Sequence, residues 1–249
     1  MKDGKVTFEG KKIKYVYPEG LEEELKTQIP EIFQAEYYKL GRRNKDAVYL
    51  DIGANIGMAS IYFYPYAKQI YAIEPSSKIY EALVANTKNY PKIKTFKYAI
   101  AHKSGKDYLY SNDVGTVPQT LFGNKTSVYS EMIEVKSIED FMNENNINHI
   151  DVMKIDVEES EYIIFPSQAF LNIADRIDFI IGESHVQKDG GFPEIIPAIL
   201  KEAGFETKLL EFKVSNYIKK FVFSDEDTGQ RKEWTLPYNS LFVAERIKK

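Results

Sequence analysis

The first residues of the chain alternate apolar and polar side chains. In residues 1–17 this alternation runs on both sides of a Glu-Gly pair, which predicts a β-hairpin. Residues 21–40 have the pattern of a helix, broken or kinked at Pro30 because proline lacks a backbone N–H. We therefore expect residues 1–44 to form an N-terminal extension made of a hairpin and a helix.

The rest of the chain, residues 45–249, has the pattern of an α/β domain. Its apolar runs, such as AVYLDIG, QIYAIEP, HIDVMKID and RIDFIIGE, do not alternate, which is typical of strands buried on both faces. Segments of helical length separate these runs, so right-handed crossovers predict a parallel, doubly wound sheet. Helices are expected to begin at Ser76, Ser137 and Pro193, and the last of them to end at Gly204. Further extended segments are predicted at 207–214, 218–223 and 240–246, with a polar turn at 225–233 between the last two.

The strongest functional signal is VYLDIGANIG, in which a buried strand leads into a glycine loop that opens a helix. Gly53 and Gly57 allow the backbone to approach a ligand, and the free N–H groups of a helix N-terminus favour binding there. Glu74 ends the next predicted strand, where a carboxylate can accept both hydroxyls of a ribose. The loop and Glu74 together predict a nucleoside site.

Two kinds of ligand share this architecture. A dinucleotide site needs the spacing Gly-x-Gly-x-x-Gly, which this loop lacks. Asp51 at the strand tip would repel a pyrophosphate, but it suits a ligand that carries an ammonium and a sulfonium group. S-adenosylmethionine is such a ligand, and we expect it to bind in place of NAD.

Composition restricts the remaining chemistry. The chain has no cysteine, which excludes disulfides, thiol nucleophiles and thiolate zinc sites. Its only histidines, His102, His149 and His185, are too few to favour an imidazole-rich zinc centre. The net charge of −4 argues against nucleic-acid binding through bulk charge. A polar N-terminus and the lack of a long apolar run predict a cytoplasmic protein without a membrane span.

Several motifs resemble those of the FkbM family of class I S-adenosylmethionine-dependent methyltransferases. DIGANIG is similar to the family's Asp-x-Gly-Ala-Asn-x-Gly, Glu74-Pro75 to its second motif, and residues 98–106 to its third-strand region. Residues 150–161 are similar to a segment containing Lys-Ile-Asp-x-Glu-Gly-x-Glu. The resemblance covers about residues 45–200. Glu159 stands where the family usually has glycine, so we expect a different backbone in that loop.

The resemblance implies a Rossmann-like, seven-stranded class I methyltransferase sheet with helices on both faces, preceded here by the N-terminal hairpin and helix. It also implies S-adenosylmethionine as the cofactor. The residues expected to bind it are Asp51, Gly53, Ala54, Asn55, Gly57, Glu74, Pro75, Ala99 and Asp156.

Four residues at the carboxyl ends of two predicted strands are candidates for catalysis. Lys154 and Asp156 share one face of a strand, although Lys154 can equally form a structural ion pair. Glu183 and His185 share a face of the next strand, and the resemblance implies a Glu-x-His here. We expect His185 to be the general base, because imidazole can accept a proton near neutral pH.

Some roles remain open at this stage. Glu158 and Glu161 suit either the site or the first turn of a helix, where carboxylates are favourable. Asp156, Glu183 and His185 can alternatively hold a divalent metal, so we leave the metal uncommitted. The irregular segment 111–127 is a second candidate lid, beside the N-terminal extension.

The resemblance implies O-methylation of a hydroxyl on a sugar, a glycan or a secondary metabolite. One alternative is an RNA ribose 2′-O-methyltransferase, which the negative net charge disfavours. Another is a non-catalytic nucleotide-binding module, which would keep Asp51 and Glu74 but would not need His185. The sequence leaves the oligomeric state open.

Overall fold

A computed structural model describes most of the chain. The described residues are 1–43, 45–111, 119–121, 129–185, 195–210, 220–224, 231–235 and 239–247. The strands are β1 (Lys2–Phe8), β2 (Lys11–Tyr17), β3 (Ala47–Ile52), β4 (Ala67–Ile73), β5 (Ile93–Phe96), β6 (Ala99–Ala101), β7 (Gly105–Ser111), β8 (Gln119–Thr120), β9 (Tyr129–Ser137), β10 (Ile150–Ile155), β11 (Ile177–His185), β12 (Phe205–Leu210), β13 (Lys220–Ser224), β14 (Arg231–Thr235) and β15 (Asn239–Arg246). The α-helices are α1 (Glu22–Phe33), α2 (Met58–Phe63), α3 (Ser77–Thr87), α4 (Ile138–Glu144), α5 (Glu161–Ile164), α6 (Gln168–Leu171) and α7 (Ile195–Glu202).

The central sheet has seven strands in the order β12-β15-β11-β10-β3-β4-β5. Strands β5, β4, β3, β10 and β11 run parallel, and β15 is antiparallel to both of its neighbours. This arrangement confirms the predicted α/β class and the seven-stranded sheet. The chain order reverses between β3 and β10, so the carboxyl ends of these strands flank the crevice where such sheets bind ligands.

The N-terminal hairpin is confirmed. Glu9 and Gly10 form its turn with φ of 47° and 74°, as a tight two-residue turn between right-twisted strands requires. The hairpin is fixed to the sheet layer by Asn86 of α3, whose side chain accepts from Val16 N at 2.7 Å and donates to Val16 O at 2.9 Å. The hairpin is thus anchored by hydrogen bonds to its backbone as well as by packing.

Helix α1 is shorter than the sequence predicts. It ends at Phe33, three residues after Pro30, and a 3₁₀ turn at Lys39–Gly41 replaces the last predicted turns. Glu36 lies between them with φ of 52°, which is incompatible with a continuing helix. The buried face of α1 packs into the same apolar core as the sheet, through Phe33 and its helix neighbours.

The predicted helix signals are confirmed at three positions. Ser76 precedes α3, and the Ser137 hydroxyl caps α4 by accepting from Asp140 N at 3.0 Å. Gly204 follows α7 with φ of 89°, a left-handed conformation in which glycine is not strained.

Two strand predictions need correction. The third parallel strand of the central sheet is β5, whereas Ala99, predicted in that region, lies in β6 of a separate sheet ordered β6-β9-β7-β8. The predicted polar turn 225–233 is interrupted at Arg231, where β14 begins and pairs with β13. Most of the candidate lid 111–127 lies outside the described residues, as do Pro193 and residues 211–219.

Among the described residues, no helix has both the length and the apolar character needed to cross a bilayer.

Candidate active site

A cleft opens at the carboxyl ends of β3, β4 and β10. It encloses about 690 Å³ of empty space, part of it open to solvent. Its polar lining includes Glu24, Gln28, Asn55, Glu74, Asp156 and Glu158. Its apolar lining includes Ile79, Tyr98, Ile100, Leu109 and Leu121. The cleft is therefore lined both by apolar side chains and by several carboxylates.

The glycine loop forms one wall of the cleft. Gly53 follows β3 with φ of 76°, and a Cβ atom there would lie 1.8 Å from the carbonyl oxygen of Asp156. Gly57 has φ of 92°, and a Cβ atom would lie 2.8 Å from Leu83 of α3. Both positions need glycine because the backbone is left-handed and tightly packed.

Glu74 is buried at the end of β4 and lines the cleft. Its Oε2 accepts from Asn55 N at 3.1 Å, and its Oε1 accepts from Ser76 N at 2.9 Å. Burial raises the pKa of Glu74 to about 7, although the two backbone N–H groups act in the opposite direction. Each carboxylate oxygen is thus fixed in place and retains a lone pair for a second donor.

Asp51 lies behind the glycine loop and is 1% exposed. Its Oδ2 accepts from the Ser60 hydroxyl at 2.6 Å, and its Oδ1 lies 3.4 Å from Lys154 Nζ. Lys154 also donates to Gly53 O at 2.7 Å and lies 3.6 Å from Asp156 Oδ2. Lys154 therefore links the end of β10 to the strand and loop of the glycine motif.

His185 is 4% exposed at the end of β11 and is surrounded by carboxylates. Its Nδ1 lies 3.2 Å from Oε1 of Glu161, which is fully buried and also accepts from Val157 N. Its Nε2 faces three further carboxylates, at 3.7 Å from Asp156, 3.6 Å from Glu158 and 3.9 Å from Glu183.

His185 and the carboxylates around it form an acidic cluster, and their proximity shifts the pKa values of its members. Burial lowers the pKa of His185, but the nearby carboxylates, Glu158 foremost, outweigh it and hold that pKa well above the usual value. Burial raises the pKa of Glu158 to about 7 and that of Glu183 to about 8. The cluster therefore holds protons near neutral pH that isolated carboxyls would release.

The loop after β10 carries two strained residues. Glu158 and Glu159 have φ of 49° and 78°, in the left-handed region that costs an ordinary residue about 1–2 kcal/mol. The sequence predicted a different backbone at Glu159, yet the structure gives this position a conformation that glycine adopts without strain.

The structure brings the predicted site residues into one region, but only some of them line the cleft. Those that line the cleft are Gly53, Asn55, Glu74, Pro75, Ala99 and Asp156. Those outside its lining, among the described residues, are Asp51, Ala54, Gly57, Lys154, Glu183 and His185. His185 meets the cleft through Asp156 and Glu158, which contact its Nε2 and also line the cleft.

The sequence predicted that the N-terminal extension covers the site, but it did not identify the residues of α1 that line the cleft. Glu24 and Gln28 line the cleft, and burial together with the charge of Asp156 raises the pKa of Glu31. These residues recur at helical spacing, opposite a buried face that includes Leu25 and Ile29. That polar stripe was visible in the sequence, but a solvated helix face has the same pattern.

Within the described part of the chain, two groups of side chains have the spacing of metal ligands. Asp156, Glu158 and His185 each place one ligand atom within 4.8 Å of the others. His149, Asp151 and Asp178 do so at the opposite ends of β10 and β11, where His149 Nε2 lies 3.1 Å from Asp178 Oδ2. Oxygen ligands with one imidazole suit several divalent cations, so neither group identifies a metal.

Comparison with known proteins gives one family. The sequence profile described as the methyltransferase FkbM domain matches residues 51–207. No curated protein matches the chain in sequence.

Solved structures share the fold. A precorrin-6y C5,15-methyltransferase from Geobacter metallireducens GS-15 is 12% identical, with 94% of this chain and 93% of that chain covered and a TM-score of 0.50. A fibrillarin pre-rRNA processing protein from Methanococcus jannaschii is 13% identical, with 99% and 84% covered and a TM-score of 0.50. At such identities the likeness concerns the fold alone.

Proposed function

Because this chain belongs to the FkbM family of methyltransferases, we propose that it methylates a hydroxyl of a sugar, a glycan or a secondary metabolite. S-adenosylmethionine is its methyl donor. The observation that carries the proposal is the position of His185, whose Nε2 faces Asp156 and Glu158, two residues that line the cleft.

The residues of the cleft fit this cofactor. Glu74 offers two fixed carboxylate oxygens, which match the two hydroxyls of a ribose. The apolar lining residues, such as Ile79 and Ile100, suit a purine ring, and Asp156 suits the charged methionine part. When bound, S-adenosylmethionine supplies a methyl group activated by a sulfonium. Asp51 is paired with Lys154, so we propose that it supports the loop from behind.

His185 is our candidate for the general base. Glu161 accepts from Nδ1–H, which leaves Nε2 as the atom that takes a proton from the acceptor hydroxyl. The surrounding carboxylates keep His185 protonated in the free protein at neutral pH, so it must first lose that proton. A positive charge bound nearby favours this loss. A general base contributes about 10²–10⁴-fold in rate, and positioning of the reactants contributes about 7–11 kcal/mol.

The other predicted catalytic residues have different roles in this proposal. Burial lowers the pKa of Lys154, but Asp51 and Asp156 more than compensate and raise it, so Lys154 stays a cation and cannot act as the base. Asp156 and Glu183 flank Nε2 and can accept hydrogen bonds from the acceptor. Hydroxyl-rich molecules are good donors to such a cluster.

RNA is the less favoured acceptor. A phosphate backbone approaching His185 would meet the acidic side chains of Asp156, Glu158 and Glu183, whose ionised forms repel it. RNA binding that is tight and weakens steeply with salt would contradict this part of the proposal.

The test is methyl transfer from radiolabelled S-adenosylmethionine to a panel of acceptors. The panel contains monosaccharides, oligosaccharides, polyhydroxylated natural products and a transcribed RNA. We expect label in a hydroxylated small molecule or glycan, as an ether stable to mild base. Label in RNA would favour the 2′-O-methyltransferase alternative. Cofactor binding without transfer to any acceptor would favour a non-catalytic module.

A further inference from the structure

Helix α1 lies outside the matched segment 51–207, yet it forms part of the cleft. Glu24 and Gln28, one helical turn apart, face the cleft. Leu25 and Ile29 on the same helix are buried in the apolar core. The helix is therefore held by its apolar face while its polar face closes one side of the cleft.

Glu24 is joined to the glycine loop by a hydrogen bond. Its Oε1 accepts from Asn55 Nδ2 at 3.0 Å. The backbone N–H of the same Asn55 donates to Glu74. Asn55 thus places the carboxylate of Glu24 close to Glu74, the residue proposed to bind the ribose.

The charges that act most strongly on Glu24 are negative. They belong to Glu158, Asp156 and Glu74, which line the same cleft. Placing a fourth carboxylate among three others is unfavourable in the free protein, and a cation between them relieves the repulsion. The arrangement therefore fits a positively charged ligand group between α1 and the loop after β10.

The cofactor has such groups at its methionine end, an ammonium and a sulfonium. We propose that Glu24, contributed by the N-terminal extension, is a cofactor-binding residue that contacts this positive charge together with Asp156 and Glu158. The inference rests on the proposed function, because it concerns the same cofactor site. It gives α1 a direct contact with the cofactor, whereas a helix that only covered the cleft would contribute packing alone.

The protonation of Glu24 is consistent with this role. Burial foremost, and then Glu158, raise the pKa of Glu24 to about 8, while the hydrogen bond from Asn55 lowers it. At neutral pH the free protein therefore holds Glu24 mainly in its neutral form. A bound cation favours the ionised form, so binding should release a proton from this group.

The test measures binding directly, by calorimetry of the full chain without an acceptor. Glu24→Gln keeps an oxygen for Asn55 and the shape of the side chain, but it removes the charge. We expect this variant to bind S-adenosylmethionine about 10- to 100-fold more weakly, the effect of losing one hydrogen bond between charged groups. Glu23→Gln is the matched control, since Glu23 is exposed and paired with Lys26, and its affinity should equal that of the wild type.

S-adenosylhomocysteine identifies which charge is contacted, because it keeps the ammonium and lacks the sulfonium. An equal loss for both ligands assigns Glu24 to the ammonium, and a loss for S-adenosylmethionine alone assigns it to the sulfonium. Either result supports the inference. Unchanged affinity of Glu24→Gln for S-adenosylmethionine would overturn it.

Two further measurements separate the inference from its assumptions. If Glu24→Gln does not fold, Glu24→Asp keeps the charge but withdraws it by one methylene, and it should show a smaller loss of affinity. Wild-type affinity in this second variant would count against a direct contact. Failure of the wild type to bind S-adenosylmethionine would overturn the cofactor assignment itself, whereas an unaffected Glu24 variant overturns only the role of α1.

Discussion

Glu161 Oε1 lies 3.2 Å from His185 Nδ1, and this carboxylate is fully buried beneath the imidazole. The same oxygen accepts from Val157 N at 3.1 Å, which fixes it relative to the loop after β10. Such a contact selects the tautomer with the proton on Nδ1 and turns Nε2 toward the cleft. The two residues therefore form a unit whose parts can be tested separately.

Removing the imidazole of His185 should lower the turnover rate and leave cofactor affinity nearly unchanged. We expect His185→Ala to lower kcat by about 10²-fold or more, because a general base contributes at least that much. Affinity for S-adenosylmethionine should stay nearly unchanged, since His185 lies outside the lining of the described cleft. Steady-state kinetics and calorimetry measure the two effects. His149→Ala is the control, and normal turnover in His185→Ala would place the base elsewhere.

Neutralising the carboxylate beneath the imidazole should change both the rate and its pH dependence. We expect Glu161→Gln to lower kcat at least about tenfold, because the imidazole loses the partner that sets its tautomer. The rising limb of the wild-type pH profile should lie above pH 6.5, because Glu158, Glu161 and Asp156 raise the pKa of His185. In Glu161→Gln that limb should move toward lower pH. An unmoved limb would show that the titrating base is not His185.

Glu74 should decide cofactor affinity. We expect Glu74→Ala to weaken S-adenosylmethionine binding by at least about tenfold, since hydrogen bonds to a charged group contribute about 1.5–3 kcal/mol each. Neither the wild type nor the variant should bind NAD. Calorimetry measures both ligands, and the exposed Glu81→Ala on α3 serves as the control. Unaltered affinity would contradict the placement of the ribose.

The ligand-free protein should lose stability as the pH rises. The pKa values of Glu24, Glu74 and Glu183 are raised to about 8, 7 and 8, so the folded chain binds more protons than the unfolded chain above the ordinary glutamate pKa. His185 acts in the same direction, because its stabilisation is lost as pH rises through its raised pKa. Thermal unfolding should therefore occur at lower temperature at about pH 9 than at about pH 6. A higher melting temperature at alkaline pH would contradict the buried acidic cluster.

Activity should not depend on a divalent metal. Asp156, Glu158 and His185 have ligand-like spacing, but our mechanism uses the imidazole as a base. Dialysis against a chelator should therefore leave turnover unchanged. Loss of activity that magnesium restores would make His185 a ligand or a bystander, and metal-assisted ionisation of the hydroxyl would replace the proposed mechanism.

The elements that the sequence predicted well depend on local patterns. The turn at Glu9 and Gly10, the buried strand before Asp51 and the cap at Ser137 each involve residues close together in the chain. The early end of α1 was missed because a helical pattern continues past Phe33, while the tertiary structure turns the backbone at Glu36.

Parts of the site could not be predicted because they depend on long-range packing. Lys154 was expected either at the site or in a structural ion pair, and only the register of β10 against β3 shows that Asp51 is its partner. Glu24 reaches the cleft only because the N-terminal helix packs beside the glycine loop. Glu161 looked equally suited to a helix cap, and its contact with His185 appears only when β10 and β11 lie side by side.

The chain positions of these groups imply an order of assembly during protein synthesis. Glu24, Asn55, Glu74 and the anchoring Asn86 leave the ribosome well before Lys154 and His185. At about 5–20 residues per second, roughly 3–14 s separate the emergence of Asn86 from that of Lys154. During this interval Asp51 lacks the lysine that neutralises it in the finished sheet. The nascent N-terminal half therefore carries an uncompensated carboxylate, which opposes its burial until β10 is translated.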